Sequence, residues 1–73
     1  MSKLYWKNPN DANGYFKMGL ILDEQGKIDE AIKNYEKAIK INGNHASAYH
    51  NLGIDYFDKG DTDLAVQNMV KSI

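Results

Sequence analysis

The stretch YFKMGLILDEQGKIDEAIKNYEKAI, residues 15–39, is followed at residues 49–73 by YHNLGIDYFDKGDTDLAVQNMVKSI, and the two align without a gap at a shift of 34 residues. Glycine, alanine, aromatic and aliphatic residues return in the same order. A period of this length is typical of stacked helix–turn–helix units, each of which buries an apolar face against the next. The identical pairs are Tyr15 and Tyr49, Gly19 and Gly53, Gly26 and Gly60, Asp29 and Asp63, Ala31 and Ala65, Asn34 and Asn68, Lys37 and Lys71, and Ile39 and Ile73.

Both copies follow the spacing of one known repeat pattern, W-x2-L-G-x2-Y followed by A-x3-F and a proline. The first copy reads Tyr15-x2-Met18-Gly19-x2-Leu22, Ala31-x3-Tyr35 and Ala38, and the second reads Tyr49-x2-Leu52-Gly53-x2-Tyr56, Ala65-x3-Met69 and Ser72. On these residues the chain resembles the tetratricopeptide repeat (TPR) family. The resemblance implies an all-α fold, an α-solenoid of antiparallel helix–turn–helix hairpins, and a role in protein binding. Gly43 in place of the proline and Met69 in place of an aromatic residue depart from the pattern.

Apolar spacing and helix stop signals predict four helices. The first spans residues 12–25, the second runs from about Asp29 to Asn42, and the third spans residues 46–58. Asn44 is expected to cap the third helix, and Asp61 or Thr62 to open the fourth. The three turns are expected at Gly26, Gly43 and Gly60.

The buried face of the first hairpin follows from the same spacing. On its first helix the inward stripe is expected to be Tyr15, Met18, Gly19 and Leu22, and on its second Ala31, Ile32, Tyr35, Ala38 and Ile39. Small residues are expected where two helices come close, because a bulkier side chain would overpack the contact. These residues are Gly19, Ala31, Gly53 and Ala65.

The repeat also predicts the organisation of the chain. Residues 1–11 are expected to form an N-terminal arm or the tail of a preceding repeat helix, residues 12–45 a first TPR unit, and residues 46–73 a second unit that is truncated at its C-terminus. About three repeats are usually needed for a stable array. We therefore expect a piece of a longer repeat protein, or a small protein that completes its ends by association.

Composition narrows the class of function. The chain has 73 residues, with 9 basic against 10 acidic side chains, and this balance argues against nucleic acid or an anionic membrane as the main partner. It contains no cysteine, and His45 and His50 are five residues apart, which is not the spacing of a helical metal pair. No nucleophile–base or phosphate-binding motif is visible. We expect a protein without enzymatic activity, cofactor or metal, and a cytoplasmic location by default.

The resemblance to TPR proteins implies where a ligand would bind. In that family the first helix of each hairpin lines a concave groove for peptides, and here the corresponding faces carry apolar residues beside the acidic residues Asp23, Glu24 and Asp58. A peptide with apolar anchors and basic flanks would suit such a groove. The candidate peptide-binding residues are Asn13, Phe16, Leu20, His50, Asn51, Ile54 and Phe57.

Other interpretations stay open at the level of sequence. The apolar groove residues could instead touch further helices or the N-terminal segment. A self-associating repeat, possible as a homodimer, would use terminal apolar residues that a neighbouring repeat would otherwise cover, namely Leu4, Tyr5, Trp6, Val66, Met69, Val70 and Ile73. An RNA-reading helical repeat is a third possibility, although such a protein should have a basic groove.

Overall fold

The computed structural model describes residues 11–73, which form four α-helices and no strand within that range. The helices are α1 (Ala12–Glu24), α2 (Ile28–Ile41), α3 (Ala46–Asp58) and α4 (Thr62–Lys71). α1 packs on α2 and α3 on α4 as two hairpins, and α2 also packs on α3. The predicted all-α array of helix hairpins is confirmed. The arm or helix tail predicted for residues 1–11 lies, apart from Asp11, outside the described residues.

Two of the three turns need glycine. Gly26 has φ 79° and Gly60 has φ 88°, in the left-handed region that glycine adopts without steric cost. In both turns the next residue closes the helix end: the Lys27 N–H donates to Leu22 O at 2.9 Å, and the Asp61 N–H to Tyr56 O at 2.8 Å. The third turn is different, because α2 ends at Ile41 and no left-handed residue follows it.

The core lies between the two hairpins and is centred on α2. Tyr35 is fully buried, and its ring packs at 5.8 Å from the ring of Phe16 while its hydroxyl donates to Asp23 Oδ2 at 2.7 Å. The other buried apolar residues of this cluster are Ala31, Ile32, Ala38, Ala48 and Leu52. One part of the predicted inward stripe is wrong, since Met18 is 47% exposed. Its counterpart Leu52 is buried by α2, and no described helix covers α1 in the same way.

The sequence repeat is also a repeat of contacts. The Lys37 ammonium lies 5.4 Å from the centre of the Tyr15 ring, and Lys71 lies 5.7 Å from the Tyr49 ring. Each pair joins the two helices of one hairpin by a cation–π contact, of which exposed examples contribute about 0.5–1 kcal/mol. The two units therefore close in the same register.

Close helix approach depends on glycine in both hairpins, as predicted. A Cβ atom on Gly19 would lie 2.7 Å from Cδ1 and 2.9 Å from Cζ of Tyr35, and one on Gly53 would lie 2.8 Å from Cγ of Met69 and 3.0 Å from the Ala65 carbonyl oxygen. These distances are shorter than van der Waals contact. A side chain at either glycine would force the helices apart.

Gly19→Ala should lower the free energy of unfolding by about 1–3 kcal/mol, because the buried Tyr35 ring cannot move away from the added methyl group. This loss should exceed the gain of about 1 kcal/mol that alanine brings to a helix. Gly43→Ala is the control, since no atom lies within 4 Å of its added Cβ. Denaturant titration of both variants measures the difference, and equal stability would contradict the role given to Gly19.

Candidate peptide-binding surface

The predicted ligand residues lie on the first helix of each hairpin. Asn13, Phe16 and Leu20 belong to α1, and His50, Asn51, Ile54 and Phe57 to α3. A surface depression of about 280 Å³ brings together Phe16 from the first unit with His50 and Asn51 from the second, and Ala46, Ser47 and Ser72 complete its lining. The structure therefore joins three of the seven predicted residues in one depression across the boundary between the units.

Three predicted apolar residues lie outside this depression and are exposed. Leu20 is 36% exposed, Ile54 37% and Phe57 64%. Leu20 and Ile54 occupy the same position in the two units, because they are 34 residues apart. Their equal exposure shows that packing between the units covers neither of them.

Phe16 has two environments. Its ring is half-buried and packs at 5.8 Å from the Tyr35 ring and 5.0 Å from the His45 ring. Only the remaining part of its surface lines the depression. Phe16 thus holds the floor of the surface in place as well as contributing to it.

The two asparagines are each held by one hydrogen bond. Asn13 Oδ1 pairs with His45 Nε2 at 2.9 Å, and Asn51 Nδ2 donates to the Ser47 carbonyl oxygen at 2.9 Å. An asparagine amide offers two donors and an acceptor with two lone pairs. Asn13 therefore retains its N–H donors for a ligand, and Asn51 retains its acceptor oxygen.

His45 is a residue whose role the sequence analysis missed. It is 9% exposed rather than a surface residue, and its Nδ1 accepts from the Ala48 N–H at 3.1 Å, so it is the N-cap of α3. The predicted cap, Asn44, lies one residue too early. Because Nδ1 accepts, the proton is on Nε2, which donates to Asn13. Histidine is not among the residues preferred at N-caps, and therefore the local pattern favoured asparagine.

Two carboxyl groups meet in the interior at the boundary of the units. Asp55 of α3 is 3% exposed and lies close enough to the Asp23 carboxyl of α1 for that group to raise its pKa. Asp23 Oδ1 and Asp55 Oδ2 are buried without a partner among the described residues, and a proton held between the two groups would satisfy both. The pKa of Asp55 is raised to about 7, mostly by burial and in smaller amounts by the neighbouring Asp23 carboxyl and the charge of Asp58.

The acidic border of the surface is thereby reduced to two residues. Asp23 is half-buried and accepts from Tyr35, whereas Glu24 and Asp58 are exposed at the C-terminal ends of α1 and α3. These carboxylates lie where the helix dipole is negative, which adds to the negative potential at this end. The surface is therefore apolar in its middle and acidic at one end.

Residues 11–73 contain no group of three or more metal-ligating side chains of the His, Cys, Asp and Glu types. In the same range, none of the helices has the length and apolar character required to cross a membrane.

Comparison with known families agrees with the repeat geometry. A model described as TPR repeat matches residues 21–60, and one described as tetratricopeptide repeat matches residues 7–33. The chain belongs to the tetratricopeptide repeat family. TPR repeats generally mediate protein–protein interaction, and a function of that broad kind follows for this chain.

Solved TPR structures superpose on most of the chain. Two crystal structures of MamA are each 40% identical to it and cover 89% of it, with TM-scores of 0.86 and 0.83. A third, MamA MSR-1 C2, is 27% identical over 90% of the chain, with a TM-score of 0.83. The chain spans only 36–38% of the length of these proteins. No curated protein sequence matches it.

The cap assignment in this TPR chain has a direct test. His45→Ala should lower the free energy of unfolding by about 1–2 kcal/mol, because it removes the acceptor for the Ala48 N–H together with the contact to Asn13. Asn44→Ala should change stability by less than about 0.5 kcal/mol. Urea unfolding followed by circular dichroism compares the two. A larger loss for Asn44→Ala would show that the cap is assigned to the wrong residue.

Asp55→Asn should change how stability depends on pH. Because the folded pKa of Asp55 is near 7 and an unfolded aspartate titrates near 4, the folded state binds the extra proton between these values. The stability that this proton contributes is complete below pH 4 and is lost as the pH rises through 7. The asparagine amide of the variant has an N–H donor for Asp23 at every pH. The variant should therefore match the wild type at pH 4 and be more stable at pH 8.

Glu24→Gln is the control for this comparison, because it removes an exposed carboxylate from α1 without touching the buried pair. Unfolding free energies are measured at several pH values between 4 and 8 for all three proteins. If Asp55→Asn and Glu24→Gln shift the pH profile equally, the two buried carboxyl groups do not share a proton.

Proposed function

We propose that this TPR chain binds a peptide segment of a partner protein along the surface formed by α1 and α3. Phe16, Leu20, Ile54 and Phe57 supply the apolar contacts, and the polar contacts come from Asn13, His50 and Asn51. The observation that carries the proposal is the depression in which Phe16 of one unit meets His50 and Asn51 of the next. A ligand in this position contacts both units at once.

The pattern of exposure in the two units supports a ligand-facing role. Leu20 and Ile54 are 36% and 37% exposed although one belongs to the first unit and the other to the second. Residues that serve only to stack units should be exposed in one unit and buried in the other. Equal exposure of large apolar side chains at a repeated position is expected of a face that stacking leaves open for a partner.

The polar groups define the kind of peptide. The free N–H donors of Asn13 and the free oxygen of Asn51 can pair with a carbonyl and an N–H of an extended peptide backbone. Exposed Glu24 and Asp58 attract a positive charge at one end of the surface. We therefore propose a segment with apolar side chains for the middle of the surface and a lysine or arginine beside them.

Leu20→Glu and Ile54→Glu should each weaken peptide binding by about tenfold or more, because each places a charge among the apolar contacts. Helicity and melting temperature should stay close to those of the wild type, since both residues are exposed. The probe is a fluorescent peptide selected against the wild-type chain from a displayed random library. Binding is measured by fluorescence anisotropy.

Val66→Glu is the matched control, because Val66 is an exposed aliphatic residue on α4, outside the proposed surface. It should bind the peptide as the wild type does. Two results would contradict the proposal: unfolding of both Leu20→Glu and Ile54→Glu, which would make these residues part of the core, or unchanged binding by both.

A further inference from the structure

Each side of the contact between the two units has a counterpart elsewhere in the chain that no described helix covers. On α3, which packs on α2, Leu52 and Asp55 are each 3% exposed, whereas the residues 34 positions earlier on α1, Met18 and Ile21, are 47% and 48% exposed. On α2, Ile32 is 7% exposed, and its counterpart Val66 on α4 is 55% exposed. α1 thus carries an open copy of the α3 side of the contact, and α4 an open copy of the α2 side.

The two open faces are more apolar than the contact they copy. Between the units, the Tyr56 hydroxyl donates to Glu36 Oε2 at 2.9 Å. The residues at the equivalent positions are Leu22 on α1 and Val70 on α4. The hydrogen-bonded pair of the internal contact is thus replaced by two aliphatic side chains, one on each open face. A charged or polar residue on only one side would have left an unpaired group in a contact of this kind.

The polar pair at the edge of the contact also has a complementary counterpart. Lys59, directly after α3, forms an ion pair with Asp29 of α2. The equivalent residues are Gln25 after α1 and Asp63 on α4. A glutamine amide can donate to a carboxylate as a lysine does, although without its charge. Both polar pairs of the internal contact therefore have compatible residues at the equivalent positions on α1 and α4.

We propose that the α1 face of one copy of the chain packs on the α4 face of a second copy, head to tail, in the arrangement that α2 and α3 have within the chain. The α1 face consists of the exposed Met18 and Ile21 with the half-buried Leu22 beside them, and the α4 face of Val66 and Val70. These faces are separate from the peptide surface, since neither includes Leu20 or Ile54.

This geometry determines the type of assembly. The two faces are different, so the contact is heterologous and leaves one free face at each end of a growing chain of copies. A standard stable interface buries about 1,600 Å². Because a contact between single helices should bury less than this, we expect weak association. The assembly should therefore grow with concentration rather than stop at a tight dimer.

Of the residues first expected to mediate self-association, Val66 and Val70 lie on the open α4 face, whereas Ile73 lies beyond the end of α4 at Lys71. Met69 instead is half-buried and packs toward Gly53 inside its own hairpin. Leu4, Tyr5 and Trp6 lie outside the described residues, and the N-terminal segment that contains them is the alternative occupant of the α1 face. The test separates that segment from a second copy.

The experiment uses two variants of the full chain that each block one face. Ile21→Lys blocks the α1 face and Val70→Lys blocks the α4 face. Each alone should associate at least about tenfold more weakly than the wild type. Mixed in equal amounts, they should form a one-to-one pair that cannot grow, because the intact α4 face of the first fits the intact α1 face of the second.

Gln67→Lys is the charge-matched control, since Gln67 is exposed on α4 and corresponds to the outward-facing Lys33 on α2. It should associate as the wild type does. Sedimentation from micromolar to millimolar concentration, with circular dichroism as a check on folding, measures all four samples and the mixture. Met18→Lys and Val66→Lys replace the first pair if either variant loses helicity.

Three outcomes would overturn the proposal. A wild-type chain that stays monomeric over the whole range would show that no second copy binds, as expected if residues 1–10 cover the α1 face. Unimpaired association of Ile21→Lys would indicate a symmetric contact between α4 faces instead. Folded variants that fail to pair when mixed would exclude the head-to-tail arrangement. None of these results bears on peptide binding, which Leu20→Glu and Ile54→Glu test separately.

Discussion

The contact between the Tyr35 ring and the bare backbone at Gly19 is the constraint on which the rest of the structure depends. Tyr35 lies on α2, the helix that packs on both α1 and α3, and its side chain is fully buried. The ring fits only because position 19 has no side chain, so that α1 can approach closely. The same ring supports Phe16 at 5.8 Å and orients Asp23 through its hydroxyl. The Tyr35 side chain therefore takes part both in closing the first hairpin and in joining it to the second unit.

The same junction determines the shape and the chemistry of the surface that we propose for peptide binding. Phe16 is held between Tyr35 and the His45 ring, and His45 at once caps α3 and pairs with Asn13 of α1. The relative position of the two first helices is thus fixed by buried groups rather than by the ligand. A preformed surface loses less conformational entropy when a peptide binds, which favours affinity. The buried Asp55 carboxyl, whose pKa is raised to about 7, lies at the same boundary, and therefore we expect pH to act on the stability of the junction.

Comparing the same position in the two units separates two kinds of exposed apolar residue. Leu20 and Ile54 are equally exposed, as expected of a face that repeats along an array and stays open. Met18 is 47% exposed and Leu52 only 3%, as expected of a face that an adjoining helix covers in one unit but not in the other. Hydrophobicity alone cannot make this distinction, because all four side chains are aliphatic or thioether groups of similar size. In a repeat protein, the difference in burial between copies separates a face that stacking covers from a face that stays open, and it is the open face that we propose for ligand binding.

The sequence by itself determined the family, the four helices and the positions of the turns between them, because these depend on local properties: the helical period and the stop signals at the glycines. That Gly26 and Gly60 are left-handed and Gly43 is not came from the structure. The sequence also placed Gly19 and Gly53 at close helix contacts. Only the tertiary structure decided that Met18 is exposed while Leu52 is buried, that His45 rather than Asn44 caps α3, and that Asp55 meets Asp23 in the interior. Each of these depends on which helix lies opposite. Burial and pKa are set by neighbours that the order of residues does not reveal.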